Sequence, residues 1–179
     1  MNDNENVEQR IIDKIGNLDS GRPNLGLLMP VFMFRFFFLS IQEKLKEKFG
    51  QLETEKILYD AGFLAGNEFC ENFVSYENDI KNFLVSLQTS FKEQRIGILQ
   101  LENMDLNSLY FEVSISEDVD CSGAQHEGRY VCSMCEGFLS GIFSFYFKRI
   151  LEAKELESWT SEIPKCIFEI KPKKTKKPS

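Results

Sequence analysis

The sequence has a single histidine, His126, and no glycine-rich phosphate loop or dinucleotide-binding fingerprint. A lone histidine leaves little material for a Ser-His-Asp type of catalytic triad. Basic residues are outnumbered by acidic ones, and the net charge of −7 argues against generic nucleic-acid binding. These absences argue against a catalytic triad, a nucleotide-binding loop and generic nucleic-acid binding.

Long apolar runs are also lacking. The most apolar stretch, residues 27–41, is too short to span a membrane and carries Pro30 and Arg35. The N-terminus is polar and acidic, which predicts that no signal peptide is present. We therefore expect a cytoplasmic protein, in which the five cysteines serve as thiols or metal ligands rather than in disulfides.

Phenylalanine is abundant instead, with 17 residues. The apolar residues as a whole recur at helical spacing in some segments and at every second position in others. Helical periodicity and two-residue alternation predict the following elements: helices over residues 29–49, 52–76, 78–94 and 130–150, and strands over 96–104, 108–116, 153–160 and 165–171. The strands form two hairpins, before and after the last helix. The pattern predicts an α+β domain with one antiparallel sheet of about four strands and a helical layer on one face.

The chain divides into three parts by composition. Residues 1–24 form a polar N-terminal segment, residues 25–171 a single domain and residues 172–179 a basic tail that we expect to be disordered.

Two of the predicted helices carry glycines spaced four residues apart. These are Gly62 and Gly66 in one helix and Gly137 and Gly141 in the other. A glycine inside a helix costs roughly 0.5–1 kcal/mol relative to alanine. We therefore expect the two helices to pack closely, glycine against glycine.

Sulfur is concentrated around the start of the last predicted helix. The order Cys121-x4-His126-x5-Cys132-x2-Cys135 is rich in metal-ligand types, and zinc prefers thiolate and imidazole donors. The spacing matches no zinc finger, however. Buried thiols beside a surface histidine are an alternative interpretation, and a redox-active Cys132–Cys135 pair is another.

Three motifs in the second half of the chain have a recognisable order. They are Asp120-Cys121-Ser122-Gly123 in a loop, Cys132-x4-Gly137-x3-Gly141 on the helix and Glu155-x2-Ser158-x7-Cys166 on the last hairpin. Together they resemble the 4-vinyl reductase domain family. That family is related to the ligand-binding domain of haem-NO-binding proteins and to the Bet-type subunits of the TRAPP vesicle-tethering complex. The resemblance covers about residues 25–171 and implies the α+β fold of that superfamily.

The resemblance implies a zinc site held by Cys132, Glu155 and Cys166. The fourth ligand position of the family is Ser158 here, and a serine hydroxyl is a poor zinc ligand beside a thiolate. Cys135 is the first candidate to replace it, and Cys121 or His126 is the second.

The resemblance also implies a pocket for an apolar or aromatic molecule between the helices and the sheet. The candidate lining residues are Phe32, Phe36, Phe63, Phe111, Phe138, Phe143 and Trp159. The first hypothesis is therefore a non-enzymatic ligand-binding or sensor domain with a structural zinc ion. An enzyme or accessory protein of tetrapyrrole vinyl-group reduction, or a TRAPP-like dimeric interaction module, are the alternatives. A homodimer formed through the 29–49 helix fits all three.

Overall fold

The computed structural model describes residues 10–76, 79–123, 132–160 and 162–173. Its helices are α1 (Ile11–Ile15), α2 (Leu18–Gly21), α3 (Val31–Phe49), α4 (Gln51–Phe73), α5 (Ile80–Glu93) and α6 (Ser133–Phe147). Its strands are β1 (Ile98–Asp105), β2 (Tyr110–Ser116), β3 (Leu151–Glu157) and β4 (Lys165–Pro172). The predicted α+β fold class is confirmed.

The four strands form one antiparallel sheet in the order β1-β2-β4-β3. Each predicted hairpin is present, and the two hairpins join through the β2–β4 pair. In that pair Ile115 lies opposite Cys166 and Ser116 lies opposite Lys165. The register therefore brings the start of β4 beside the end of β2, where the next loop begins.

The core lies between the sheet and helices α5 and α6. Alternation along β2 buries Phe111, Val113 and Ile115. The Phe111 ring packs on Phe143 of α6 at a centroid distance of 5.0 Å. Burial of one large apolar side chain contributes roughly 1.5–3 kcal/mol, so these contacts account for much of the attachment of α6 to the sheet.

Helices α4 and α6 cross at their glycines, which confirms the predicted packing. A Cβ atom added to Gly137 would overlap the carbonyl oxygen of Tyr59, and one added to Gly62 would overlap that of Met134. The same relationship repeats one turn along at Gly66 and Gly141. Main chain thus lies directly against main chain, and this crossing fixes the position of the first turn of α6.

Helix α3 contributes little to this core. It begins after Pro30, and its only buried residue is Gln42. Phe32 and Phe36 are 74% and 56% exposed. Among the described helices, none combines the length and the apolar character that crossing a membrane requires.

Strand β4 continues through Pro172, and the backbone N–H of Lys173 donates a hydrogen bond to the carbonyl of Ile150 at 3.1 Å. Residues 1–9 of the predicted polar segment and residues 174–179 of the predicted tail lie outside the described residues. The domain boundaries at 25 and 171 remain predictions.

Candidate functional site

A thiol–carboxylate cluster forms where the loop after β2 meets the first turn of α6 and the β3–β4 hairpin. Its members are Asp118, Asp120 and Cys121 from the loop, Cys132 at the N-cap of α6, Cys135 from the first turn of α6, Glu155 from β3 and Cys166 from β4. Four of the five cysteines of the chain are therefore in one place.

The loop owes its shape to Asp118. Its Oδ1 atom accepts hydrogen bonds from the backbone N–H groups of Asp120 at 2.6 Å and Cys121 at 3.1 Å. This is the local side-chain to backbone bonding that aspartate favours in turns. The other oxygen, Oδ2, lies 3.8 Å from Sγ of Cys135. The turn therefore directs the side chains of Asp120 and Cys121 toward helix α6 and the hairpin.

One half of the cluster joins the loop to helix α6. Sγ of Cys132 donates a hydrogen bond to Oδ2 of Asp120 at 2.8 Å. The ligand atoms of Asp120, Cys132 and Cys135 all lie within 4.8 Å of one another. Oδ1 of Asp120 is buried and has no hydrogen-bond partner among the described residues. These three residues have the spacing and the donor types of a metal site.

The other half joins the loop to the hairpin. Sγ of Cys121 lies 3.1 Å from Sγ of Cys166, which also accepts a hydrogen bond from the backbone N–H of Trp159 at 3.3 Å. The Glu155 carboxylate interacts with the side chains of Cys166 and Ser158. Its Oε2 atom accepts the backbone N–H of Cys132 at 3.1 Å, so that Glu155 connects the two halves.

Burial disfavours negative charge throughout the cluster. It raises the pKa of Asp118, Asp120 and Glu155 above their ordinary values. The pKa of the Cys132 thiol is raised well above its ordinary value. The largest cause is its hydrogen bond with Cys135, and the second is burial. A divalent cation would reverse this balance, because metal binding favours thiolate and carboxylate over their protonated forms. The donor set therefore fits a thiophilic dication such as zinc.

The structure brings five of the six predicted metal ligands together: Cys121, Cys132, Cys135, Glu155 and Cys166. His126 lies outside the described residues. Sequence reasoning did not name Asp118 or Asp120 as donors. The signal that could have found them is the Asp-x-Asp-Cys run placed directly after a strand.

Arg35 of helix α3 holds the same loop from outside. Its guanidinium donates hydrogen bonds to the backbone carbonyls of Val119, Ser122 and Asp118 at 2.6, 2.8 and 3.0 Å. Sequence reasoning used Arg35 only to argue against a membrane span. A lone cation inside the most apolar run was the available signal for this contact.

The predicted pocket-lining rings fall into three groups by burial. Phe111 and Phe143 are fully buried, whereas Phe63, Phe138 and Trp159 are half-buried beside the core. Phe138 packs on Phe69 at 5.2 Å and on Phe91 at 5.8 Å. Phe32 and Phe36 lie instead on the exposed surface of α3.

Two grooves on the surface are lined by none of the predicted pocket rings. An open groove of about 460 Å³ runs beside the start of α6 and is lined by Leu52, Glu55, Lys56, Tyr59, Ser133, Glu136 and Lys154. A more apolar groove of about 450 Å³ follows α3 and is lined by Phe37, Ser40, Ile41, Lys44, Leu45, Lys48 and Phe49.

The architecture is similar to that of several solved structures. A vinyl-4-reductase family protein from Methanocaldococcus jannaschii superposes with a TM-score of 0.57 at 20% identity, over 93% of this chain and 97% of that one. The chain has the 4-vinyl reductase fold. The resemblance predicted from the sequence motifs is thus confirmed at the level of the fold.

Two other structures share the 4-vinyl reductase fold with this chain. The phenol-responsive sensory domain of the transcription activator PoxR, solved with phenol, has a TM-score of 0.62 at 15% identity over 82% of this chain and 76% of that one. A trafficking protein particle complex subunit 3 from Naegleria fowleri, covalently bound to palmitic acid, has a TM-score of 0.63 at 10% identity over 83% and 98%.

In sequence, the chain is similar to the uncharacterized protein MJ0150 of Methanocaldococcus jannaschii. The two are 23% identical over 172 residues, which is 94% of this chain and 92% of the relative. No family model matches the chain.

Proposed function

We propose that this chain is a non-enzymatic domain that binds a small apolar or aromatic molecule and is stabilised by a zinc ion at the thiol–carboxylate cluster. The observation that carries the proposal is the convergence of seven donor side chains from the loop, helix α6 and the last hairpin. A zinc ion there would join three segments that are distant in sequence, and such sites contribute directly to folding free energy.

Three of the predicted lining residues suit a ligand site better than the others. Phe63, Phe138 and Trp159 are half-buried, so a ligand reaches them with less rearrangement than the fully buried Phe111 and Phe143. The shared fold with a phenol-responsive domain supports an aromatic molecule as the first class to test.

Helix α3 is proposed as the contact between two copies of the chain. Phe32, Phe36, Phe37 and Ile41 are all more than half exposed on it, and such apolar surfaces mark protein–protein contacts. Since only Gln42 of this helix is buried, its apolar side chains are available to a second copy. The dimer accounts for the phenylalanines of α3 that the core does not use.

A TRAPP-like acylated module is supported less well. Cys70, the one cysteine of α4, is fully buried in the core, and burial raises the pKa of its thiol to about 12. The thiolate is the nucleophilic form, so Cys70 is a poor acceptor for an acyl group at neutral pH.

Native mass spectrometry with metal analysis of the purified protein tests the zinc ion and the dimer together. We expect one zinc ion per chain and a mass of two chains, with Cys132→Ser releasing the metal. A protein that takes up no zinc even when refolded with the ion would contradict the proposed structural site.

A phenol titration tests the ligand class. Calorimetry should show saturable binding, and the fluorescence of Trp159, the sole tryptophan, should change over the same concentration range. Phe138→Ala should weaken binding, whereas Val85→Ala, an exposed position on α5, serves as the matched control. Saturable phenol binding that Phe138→Ala leaves unchanged would remove this ring from the site.

A further inference from the structure

The metal ligands implied by the family resemblance are divided between the two halves of the cluster. The resemblance pairs Cys132 with Glu155 and Cys166 of the hairpin. In the structure the thiol of Cys132 instead faces Asp120 at 2.8 Å, and the thiol of Cys166 faces Cys121 at 3.1 Å. The hairpin set is also incomplete, because its fourth position is Ser158.

Among the described residues, the side chains that share metal-ligand spacing are those of Asp120, Cys132 and Cys135. Cys132 at the N-cap of α6 and Cys135 in its first turn are close enough to hold a single ion, and a carboxylate oxygen is an accepted third zinc ligand. The buried Oδ1 atom of Asp120, without a hydrogen-bond partner among those residues, would also gain from a nearby cation.

We propose that the metal is bound by Asp120, Cys132 and Cys135, so that the loop and the first turn of α6 supply the site in place of the hairpin. This inference rests on the proposed zinc function and names the ligands of that site. Asp120 and Cys135 are half-buried, which leaves the fourth tetrahedral position to a water molecule.

The hairpin residues then support the site from outside it. Glu155 accepts the backbone N–H of Cys132 and thereby fixes the start of α6. The Cys121–Cys166 pair packs the loop against β4. Neither role requires these side chains to touch the ion.

The test compares zinc affinity, measured by chelator competition, across matched variants. We expect Asp120→Asn and Cys135→Ser each to weaken zinc binding by about 100-fold or more, since even partners outside the ligand shell change metal affinity by roughly 10–100-fold. Cys166→Ser is the matched control for loss of a buried cluster thiol. Cys166 contacts Cys121, Trp159 and Glu155 rather than any of the three proposed ligands, so we expect a change below the roughly 10–100-fold range of residues that bond a ligand directly, that is below about 10-fold. Ser158→Cys, which restores the usual cysteine of the hairpin set, should leave the affinity within the same limit.

Cobalt substitution provides a second measurement that does not depend on affinity. The sulfur-to-cobalt charge-transfer band should weaken in Cys135→Ser and stay unchanged in Cys166→Ser. Circular dichroism of each metal-free variant checks that the fold is kept.

Two outcomes would overturn the assignment. One is zinc release by Cys166→Ser with zinc retained in Asp120→Asn and Cys135→Ser, and the other is a large gain in affinity in Ser158→Cys. Either result leaves the proposed zinc function standing. A wild-type chain that binds no zinc would contradict both the ligand assignment and the proposed zinc function.

Discussion

Arg35 of helix α3 donates a 2.6 Å hydrogen bond to the backbone carbonyl of Val119, which lies 84 residues further along the chain. The same guanidinium bonds the carbonyls on either side, at Asp118 and Ser122. The loop that carries Asp120 and Cys121 is therefore attached to the helix that we propose as the dimer contact. Arg35 therefore connects these two places directly.

Arg35→Ala should destabilise the protein by at least about 2 kcal/mol, because hydrogen bonds that involve a charged group contribute about 1.5–3 kcal/mol each. Urea unfolding measures this change, and hydrogen exchange should show faster exchange in residues 118–122. The control is Arg22→Ala, which removes a 2.8 Å bond from Arg22 to the carbonyl of Gly26 in an exposed segment and should cost below about 0.5 kcal/mol. If Arg35→Ala lowers the free energy of unfolding as little as Arg22→Ala does, the loop does not depend on Arg35.

Gly137→Ala should destabilise the protein by about 1–3 kcal/mol or more, since the added methyl group meets the main-chain carbonyl of Tyr59, which cannot rotate away. Gly21→Ala is the matched control, because a Cβ atom there meets nothing within 4 Å and the backbone is not in the left-handed region. Thermal unfolding of both variants provides the comparison. A Gly137→Ala protein as stable as the wild type would disprove the close crossing of α4 and α6.

Cys70 should make stability fall with rising pH in the alkaline range. Burial raises the pKa of this thiol from an ordinary value of 9.0 to about 12 in the folded chain. Its contribution is therefore fully present below pH 9.0 and is lost as the pH rises toward 12, because the unfolded thiol ionises first. Urea unfolding at about pH 8 and about pH 10.5 should show that Cys70→Ala costs less at the higher pH.

The control for this pH effect is Leu87→Ala, which removes a fully buried side chain that does not titrate. Its cost should be the same at both pH values. If the cost of Cys70→Ala is equally constant, the Cys70 thiol does not have a raised pKa in the folded protein.

Phe36→Glu should weaken the proposed dimer by roughly 2 kcal/mol or more, which is the effect of losing a central aromatic contact. Sedimentation velocity across a concentration series measures the dissociation constant. Val85→Glu on α5 is the control, since Val85 is 61% exposed and Phe36 is 56% exposed. A wild-type chain that sediments as a monomer at all concentrations would rule out the α3 contact.

Periodicity was sufficient to predict the elements of the fold because the buried faces repeat regularly. The predicted strand over 108–116 corresponds to β2 at Tyr110–Ser116, and the glycine pairs meet as expected. The ends of strands were harder. Leu109 falls within the predicted strand, but it has a φ of 53° and belongs to the turn before β2.

The site was only partly predictable, for a physical reason. An aspartate after a strand ordinarily indicates a solvated turn, and Asp118 does make such a turn. What the sequence does not encode locally is that this turn is buried against α6, which brings Asp120 to Cys132. In the same way, apolar spacing alone does not distinguish Phe36, which faces outward, from Phe143, which faces the sheet.

The glycine crossing has a consequence for how such a protein diversifies. Contacts between backbones, rather than between side chains, set the distance from α4 to α6 at this crossing. Phe63 and Phe138 flank the crossing. Substitutions at these two rings could therefore change the selectivity of the proposed ligand site while the spacing of the two helices is kept.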